Sequence, residues 1–473
     1  ASAVLLAAGS AFAIDPSTVP AGNRLFVSGA TATNQALYSI TILTEANGGL
    51  CAPGTIDVFV DTAGADQAID ANDQFLIACT ASSQAQVPAP IQGQAVLIAK
   101  ESNGGSNNGT RNVARSTPLL FLNPTAPSCD APIAATVGAG EQAYQIHGNC
   151  SGNISVVPDA GVADVEAALF NTTTAADIAA LNPQALFQIV FAPAVSENLY
   201  RAMQTSQGLT TDDAEANVPN ITRAQLHRIF SGEAFTWDEF TNPDGSAFLA
   251  GEDVIVCGRG EDSGTQASFA SFVLNERCNG TVPVFVAPDD PACLLGGCDW
   301  GTPFEDDFIF RGDGSGDVRA CLNFHNGNGT YAIGVLSTNT TIGTAGRAIR
   351  FVGVDGAAPT LNQVANGGYQ FVTENVLNIR GSGPAGGAGS LVTYITSNIG
   401  QPDVIAALNL TARNPGGDHG ILGRPNGSNI LENPTPVSEA DMRANPVSSY
   451  TRGGNNCQPQ SATLGSQILG GGQ

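Results

Sequence analysis

The stretch that decides the fold of this chain is Arg259-Gly260-Glu261-Asp262-Ser263-Gly264-Thr265. An apolar run at 254–257 precedes it and predicts a buried strand, while residues 266–276 carry apolar side chains near the helical period. A strand, a glycine-containing turn and a helix start place several backbone N–H groups around one point, where the helix dipole adds partial positive charge. Because a guanidinium and two hydroxyl groups stand beside that point, the stretch predicts binding of a tetrahedral oxyanion.

An ordinary strand-to-helix turn with an N-cap is the simpler interpretation of Ser-Gly-Thr alone. An arginine four residues before that triplet, with an acid two residues after the arginine, is a much rarer arrangement. The acid, Glu261, is expected to orient the Arg259 guanidinium. The combination favours an anion site over a plain turn.

Length and charge narrow the class of protein. With 473 residues, 42% of them hydrophobic, the chain can bury a large core and is expected to form two lobes or more. The net charge of −24 argues against nucleic acid and anionic membranes as partners. It does not argue against a closed anion site, because salt screens distant charges beyond about 8 Å.

The first residues have the composition of a secretory signal. Residues 1–13 are apolar and small and end in Ala11-Phe12-Ala13, a small-x-small pattern that predicts cleavage before Ile14. A short core helix is the alternative. The cleavage interpretation predicts a mature protein that starts at Ile14 and is periplasmic or secreted.

Ten scattered cysteines agree with an oxidising compartment. They form no CxxC pair and only four histidines accompany them, so a zinc site is not expected. Five disulfides and no free thiol are the simplest account. The connectivity stays open, with Cys51/Cys79 and Cys293/Cys298 as the first pairs to consider.

The remaining pattern predicts an α/β protein with mainly parallel sheets. Residues 24–28 read as a strand, 29–31 as a tight turn and 33–45 as a helix, a second unit able to aim N–H groups at an anion. Residues 46–145, rich in Gly, Asn and Pro, read as a large insertion. Further strands are predicted at 154–157, 187–191, 331–336 and 349–353, and Thr222 opens a predicted helix at 224–230 with a capping box.

The order of these motifs resembles the periplasmic phosphate-binding proteins of ABC transporters, which have the type II periplasmic binding protein fold. The similar segments are the 28–33 turn, Gly161-Val162-Ala163-Asp164, the helix and Trp of 221–238, the Arg259 stretch, and Gly314-Ser315-Gly316-Asp317 with 332–334. The chain departs from the family in three places. Ala32 and Thr33 replace an aromatic residue and a proline, Glu261 replaces Asp, and the family's serine loop has only Ser151 as a weak counterpart.

The resemblance implies two lobes around a cleft, with the disulfide-bearing insertion added to the first. Lobe 1 is expected at 14–190, lobe 2 at 191–364, and a return to lobe 1 with a C-terminal tail at 365–473. Phosphate is expected to contact the following residues: Gly29, Ala30, Thr31, Ala32, Asp164, Arg259, Ser263, Gly264 and Thr265. Asp164 is expected to accept the proton of phosphate, and a membrane transporter complex is the partner that the resemblance implies.

Other motifs point to no further chemistry. The segment Arg311–Asp317 lacks the spacing of a calcium loop and reads as a turn at a helix start. The sequence carries no recognised catalytic motif, so no catalytic residue, metal or cofactor is expected. A secreted structural or surface-associated protein with a degraded anion site is the main alternative, and a phosphate-ester hydrolase on the same scaffold is the third.

Overall fold

The computed structural model describes residues 14–62, 74–125, 127–135, 137–274, 285–291, 308–340, 348–409, 421–423, 436–448, 450–452, 456–458, 461–464 and 467–469. The predicted signal segment 1–13 and the suggested pair Cys293/Cys298 lie outside these residues.

The described strands are, in chain order, β1 (Arg24–Gly29), β2 (Asp57–Val60), β3 (Gln74–Thr80), β4 (Ala95–Glu101), β5 (Leu119–Leu122), β6 (Ile133–Ala134), β7 (Gln145–His147), β8 (Asn153–Val156), β9 (Ala160–Ala163), β10 (Leu181–Ser196), β11 (Asn220–Ile221), β12 (Ile255–Arg259), β13 (Ile309–Gly312), β14 (Ala332–Ser337), β15 (Ile349–Phe351), β16 (Gly353–Val354), β17 (Val372–Arg380), β18 (Ile421–Leu422), β19 (Tyr450–Thr451), β20 (Ser461–Leu464) and β21 (Gln467–Leu469).

The described α-helices are α1 (Asn34–Ile42), α2 (Gly105–Asn107), α3 (Val113–Arg115), α4 (Ala175–Ala180), α5 (Glu197–Ser206), α6 (Arg223–Phe230), α7 (Gly264–Phe269), α8 (Ser315–Gly327), α9 (Leu361–Ala365), α10 (Gly386–Asn398), α11 (Pro402–Asn409) and α12 (Glu439–Ala444). A π-helical turn, Asn108–Asn112, joins α2 to α3, and a second, Ala270–Leu274, continues α7. None of the helices in the described part of the chain is both long and apolar enough to cross a membrane.

One 14-stranded sheet dominates the described residues. Its order is β13-β12-β14-β10-β17-β9-β1-β4-β3-β2-β7-β6, and β15 and β18 also pair with β10. We call β9, β1, β4, β3, β2, β7 and β6 the first half-sheet, and β14, β12 and β13 the second half-sheet. The long strands β10 and β17 lie between them, and one hydrophobic cluster includes residues of both half-sheets.

The sheet is mixed, so the prediction of mainly parallel strands is wrong. Strand β10 runs antiparallel to both β14 and β17, and β17 runs antiparallel to β9. Parallel pairing occurs in shorter groups, notably β1 with β4 and β9 in the first half-sheet and β12 with β13 and β14 in the second. Apolar runs in a sequence predict buried strands but carry no information about strand direction. Pairing between strands that are far apart in the sequence decides that direction.

The parallel groups bring the sequence motifs together. Strands β1, β4 and β9 end at the same edge of the first half-sheet, where the 29–33 turn, the 102–107 turn and Asp164 follow them. Strands β12 and β13 end together in the second half-sheet, at Arg259 and Gly312. Ligands of α/β sheets bind outside the carboxyl ends of strands, so these two edges position the candidate site.

Two segments occupy positions in the fold that differ from those predicted from the sequence. The strand predicted at 154–157 is β8, which pairs only with β5 in a separate ribbon and is half exposed. Strand β9, buried throughout, leads into Asp164 instead. Within the range 46–145, predicted as an insertion, β4 pairs with β1 in the central sheet and carries the 102–107 turn to the site edge.

Three disulfides are described. Cys51–Cys79 confirms one suggested pair, and Cys129–Cys150 and Cys257–Cys321 are the other two. Cys257 lies in β12 and Cys321 in α8, so this bond holds the strand of Arg259 against the helix that begins at Ser315. No free cysteine occurs among the described residues.

Glycines allow the helix that follows the 102–107 turn to contact the strand ends directly. A Cβ added at Gly161 would lie 2.2 Å from the backbone oxygen of Gly109, and one added at Gly109 would lie 2.2 Å from the oxygen of Val162. Gly29, with a φ of +106°, packs against the same two backbones. The close approach fixes the distance between the π-helical turn at Asn108–Asn112 and the strand that ends before Asp164.

We expect Gly161→Ala to lower the free energy of unfolding by about 1–3 kcal/mol or more, because the methyl group meets backbone that cannot move aside cheaply. Urea denaturation measures the loss. Gly22→Ala is the matched control, since a Cβ there meets nothing within 4 Å. Equal stability of the two variants would contradict this account of the packing.

Candidate functional site

Arg259 ends β12 and lies almost fully inside the protein, with 4% of its surface exposed. Its guanidinium donates to the Ser315 hydroxyl at 3.1 Å and to the backbone oxygen of Asp313 at 2.5 Å. Both partners belong to the turn and helix start that follow β13. The second half-sheet therefore holds a buried cation at its carboxyl edge.

The residues after this cation begin a helix as the sequence predicts. Ser263 is the N-cap of α7, and its hydroxyl accepts a bond from the Gln266 backbone N–H at 3.4 Å. Ser263 and Thr265 are each 4% exposed. The helix start thus presents hydroxyl groups and N–H groups in a region screened from water, where they interact strongly with an anion.

Asp164 provides a buried carboxylate on the other side, at the end of β9. Its oxygens accept bonds from the Ser106 hydroxyl at 3.0 Å and from the Asn375 amide at 3.3 Å. Burial raises the pKa of this carboxyl to about 6. The Ser106 hydrogen bond and the nearby positive charges of Arg259 and Lys100 oppose that rise, so electrostatic attraction links Asp164 to Arg259.

Gly264 joins the two sides. A Cβ added to it would lie 2.3 Å from the Ser106 hydroxyl and 2.8 Å from a carboxylate oxygen of Asp164. Only a glycine allows the start of α7 to come this close to the end of β9. The structure therefore brings Arg259, Gly264 and Asp164 into one group.

The turn after β1 is only partly placed as predicted. The Ala30 N–H donates to the Val162 backbone oxygen at 2.9 Å, and the contact of this turn with a ligand stays a prediction. The backbone oxygen of Gly29 accepts from Lys100. Thr31 and Ala32 line a small cavity opposite Ser315, Arg319 and other polar residues, and Asn339 bonds to the Ala32 oxygen at 3.2 Å.

Glu261 has a described electrostatic partner other than Arg259. Burial lowers the pKa of Arg311 to about 10. The negative charge of Glu261 acts in the opposite direction and raises that pKa. The described bonds of Arg259 go to Ser315 and Asp313. Orientation of Arg259 by Glu261 stays a prediction.

Sequence reasoning missed three residues that act on Asp164, namely Ser106, Lys100 and Asn375. Ser106, in α2, donates to the Asp164 carboxylate, whereas Ser151, the weak candidate from the sequence, is exposed and pairs with Ser128. Lys100 is fully buried and donates to Gly29, Glu101 and Ser102. The sequence does carry a signal for this segment. Lys100, the sole lysine of the chain, ends an apolar run, and Gly104-Gly105-Ser106 follows a few residues later.

Asp262 connects the same two segments through its own contacts. Its carboxylate accepts from the Asn107 side chain at 2.6 Å and from Thr172 at 3.3 Å, and it forms an ion pair with Arg111 at 3.4 Å. The backbone N–H of Asn107 also donates to the backbone oxygen of Asp262 at 3.0 Å. We call Asn107, Arg111, Thr172 and Asp262 the clasp, because they hold the 259–265 stretch of the second half-sheet against the first half-sheet.

Comparison with known families identifies part of the chain. The model of the PBP superfamily domain matches residues 191–398, which include Arg259, the start of α7 and Asn375. This match confirms the resemblance to periplasmic binding proteins and the α/β fold class predicted from the motifs.

Several solved structures are similar over most of their length. A protein described as a phosphate ABC transporter substrate-binding protein, with bound phosphate, from Clostridium perfringens is 15% identical, with a TM-score of 0.42 over 82% of this chain and 98% of that one. An ABC-type phosphate transport receptor from Vibrio cholerae is 13% identical, with a TM-score of 0.38 over 78% and 93%. PstS from Borrelia burgdorferi is 11% identical, with a TM-score of 0.33 over 82% and 97%. At these values none of them transfers a ligand to this chain, and no curated protein matches it.

The clasp makes a testable contribution to stability. In a double-mutant cycle with Asn107→Ala and Asp262→Ala, we expect a coupling energy of about 1–3 kcal/mol, because a half-buried charged hydrogen bond is lost. Urea denaturation of the four proteins gives the coupling. The exposed pair Glu439 and Arg443 is the control, for which about 0.3–0.5 kcal/mol is expected. A clasp coupling no larger than that of the control would contradict the assignment.

Proposed function

We propose that this protein captures inorganic phosphate between its two half-sheets and does not catalyse a reaction. The observation that carries the proposal is the presence of two buried opposite charges, Asp164 and Arg259, beside the start of α7. An arginine and helix-start N–H groups favour an anion. A buried carboxylate beside them disfavours any anion that brings no proton.

The proposed selectivity follows from that carboxylate. Phosphate at neutral pH carries a proton that Asp164 can accept as a hydrogen bond, whereas sulfate carries none. A bound sulfate would leave two buried anionic oxygens facing each other without a donor between them. Micromolar binding requires about 8 kcal/mol, which several charge-assisted hydrogen bonds can supply.

The proposed ligand contacts come from both sides of the cleft. Ser263, Gly264, Thr265 and Arg259 would hold the phosphate from the second half-sheet. Asp164 and Ser106 would contact it from the first, together with groups of Thr31 and Ala32. Ligand entry requires Arg259 to turn from Ser315 and the clasp to open, so binding includes a conformational step.

The proposal includes the division of the chain and its cellular setting. Lobe 1 would comprise 14–190 and 365–473, and lobe 2 would comprise 191–364, with β10 and β17 at the crossing. Export to the periplasm or the medium, and delivery of phosphate to an ABC transporter, are the further roles. The family match of 191–398 supports a solute-binding role for the part that it covers.

A secreted structural protein with a degraded site is the second candidate. The observation in its favour is that the Ala30 N–H and two guanidinium donors of Arg259 already have protein acceptors. Calorimetry of the purified protein with phosphate distinguishes the candidates, because a degraded site releases or absorbs no binding heat. A phosphatase assay tests the hydrolase interpretation.

The first binding prediction concerns Arg259. We expect Arg259→Ala to weaken phosphate binding by about 2–5 kcal/mol, since the enclosed anion loses its main cationic partner. Isothermal calorimetry measures the change. Arg228→Ala, which removes an exposed arginine paired with Glu239, is the matched control and should bind normally. Phosphate binding by Arg259→Ala within twofold of the wild type would refute the site.

The second binding prediction concerns Asp164. We expect Asp164→Asn to bind sulfate more tightly and phosphate modestly less tightly, because the amide removes a negative charge and supplies a donor. In the wild type, sulfate binding should increase as the pH falls below about 6, where the carboxyl becomes protonated. Asp164→Asn should lack this increase.

Asp159→Asn is the matched control for this experiment. Asp159 is also an acid with a pKa raised by burial, but it accepts from the Phe26 backbone outside the site. Titration of both anions into the three proteins at each pH gives the sulfate-to-phosphate ratio. A ratio that does not change in Asp164→Asn would show that Asp164 only supports the structure.

A further inference from the structure

The backbone at Ile14 lies against a buried acid far along the sequence. The Ile14 nitrogen donates to a carboxylate oxygen of Asp57 at 3.0 Å. Asp57 begins β2 and is 1% exposed. The Ile14 side chain packs against a hydrophobic cluster that includes Phe59 and Val19.

Because Asp57 is almost fully buried, water contributes little to stabilising its carboxylate. Its second oxygen lies 3.0 Å from a ring nitrogen of His147, whose ring stacks on Phe59 with centroids 4.3 Å apart. A buried carboxylate is costly unless a charged or strongly donating group faces it. A neutral amide at Ile14 supplies one hydrogen bond and no charge.

Hydrogen bonds also hold the residues that follow Ile14. The Asp15 side chain accepts from the Ser17 N–H at 2.9 Å and caps the 3₁₀ turn Pro16–Thr18. Arg24 then donates to the Val19 backbone oxygen at 2.9 and 2.7 Å. Ile14 directly follows the Ala-Phe-Ala pattern of the sequence.

We propose that Asp57 is the receptor for a new amino terminus, made by hydrolysis of the Ala13–Ile14 peptide bond. A peptidase and one water molecule break that bond, leaving a carboxylate on Ala13 and an α-ammonium group on Ile14. The ammonium stays where the amide N–H was and forms an ion pair with Asp57. Processing thus converts a neutral hydrogen bond into a charge-assisted one and fixes the start of the chain to β2.

The chain's composition provides a clean chemical test. Lys100 is the only lysine, and it is fully buried with three described acceptors, so a surface amine reagent should report almost entirely on the α-amino group. We would compare folded chains that start at Ile14 and at Ala13. The Ala13 chain keeps the Ile14 N–H but moves the charge one residue away.

We expect the α-amino group of the Ile14 chain to react with an acylating reagent about tenfold or more slowly than that of the Ala13 chain, because its ion pair must open first. The Ile14 chain should also melt roughly 1–4 °C higher. Asp57→Asn should remove both differences, while Asp15→Asn, which changes the neighbouring acid, should keep them. N-terminal sequencing of the native exported protein should begin at Ile14.

Three results would overturn the proposal. They are a native start at another residue, equal acylation rates of the two chains, or differences that persist in Asp57→Asn. If Asp57→Asn does not fold, the acylation rates of the two wild-type chains still decide the matter. None of these measurements uses phosphate, so their result does not depend on the proposed phosphate binding.

Discussion

The buried carboxylate of Asp164 is the constraint on which the arrangement of the site depends. A charge at that depth requires donors and positive charge close by, and they come from separate parts of the sheet. Ser106 follows β4, Asn375 lies in β17, and Arg259 ends β12. The carboxyl edges of both half-sheets must therefore meet at one place, and the glycines around Asp164 allow the backbone to approach closely enough.

The crossing strands make that meeting geometrically possible. Strand β10 pairs with β14 on one side and with β17 on the other, so the half-sheets are parts of one continuous hydrogen-bonded surface. One hydrophobic cluster also includes residues of both half-sheets. Direct bonds of the clasp hold the carboxyl edges of the two half-sheets together.

The Cys257–Cys321 disulfide and the hydrogen bond of Ile14 with Asp57 each hold one segment of the chain against its neighbours. The Cys257–Cys321 bond ties β12 to α8 and so limits how Arg259 and Ser315 can move relative to each other. The hydrogen bond of Ile14 with Asp57 holds residue 14 on β2, at the far side of the first half-sheet from β10. A stable frame of this kind reduces the freedom that the functional groups lose when a ligand orders them.

The sequence by itself determined the local units. The capping box at Thr222, the strand before Arg259, the helix start at Ser263 and the Cys51–Cys79 pair are each set by a few neighbouring residues or a short spacing, and the structure has all four. Only the tertiary structure decided the strand directions, the role of Ser106 and Lys100, and the use of the Ala30 N–H by Val162. These features depend on which strand ends lie side by side, and that is settled by pairing between residues far apart in the chain, for which a single sequence carries no local signal.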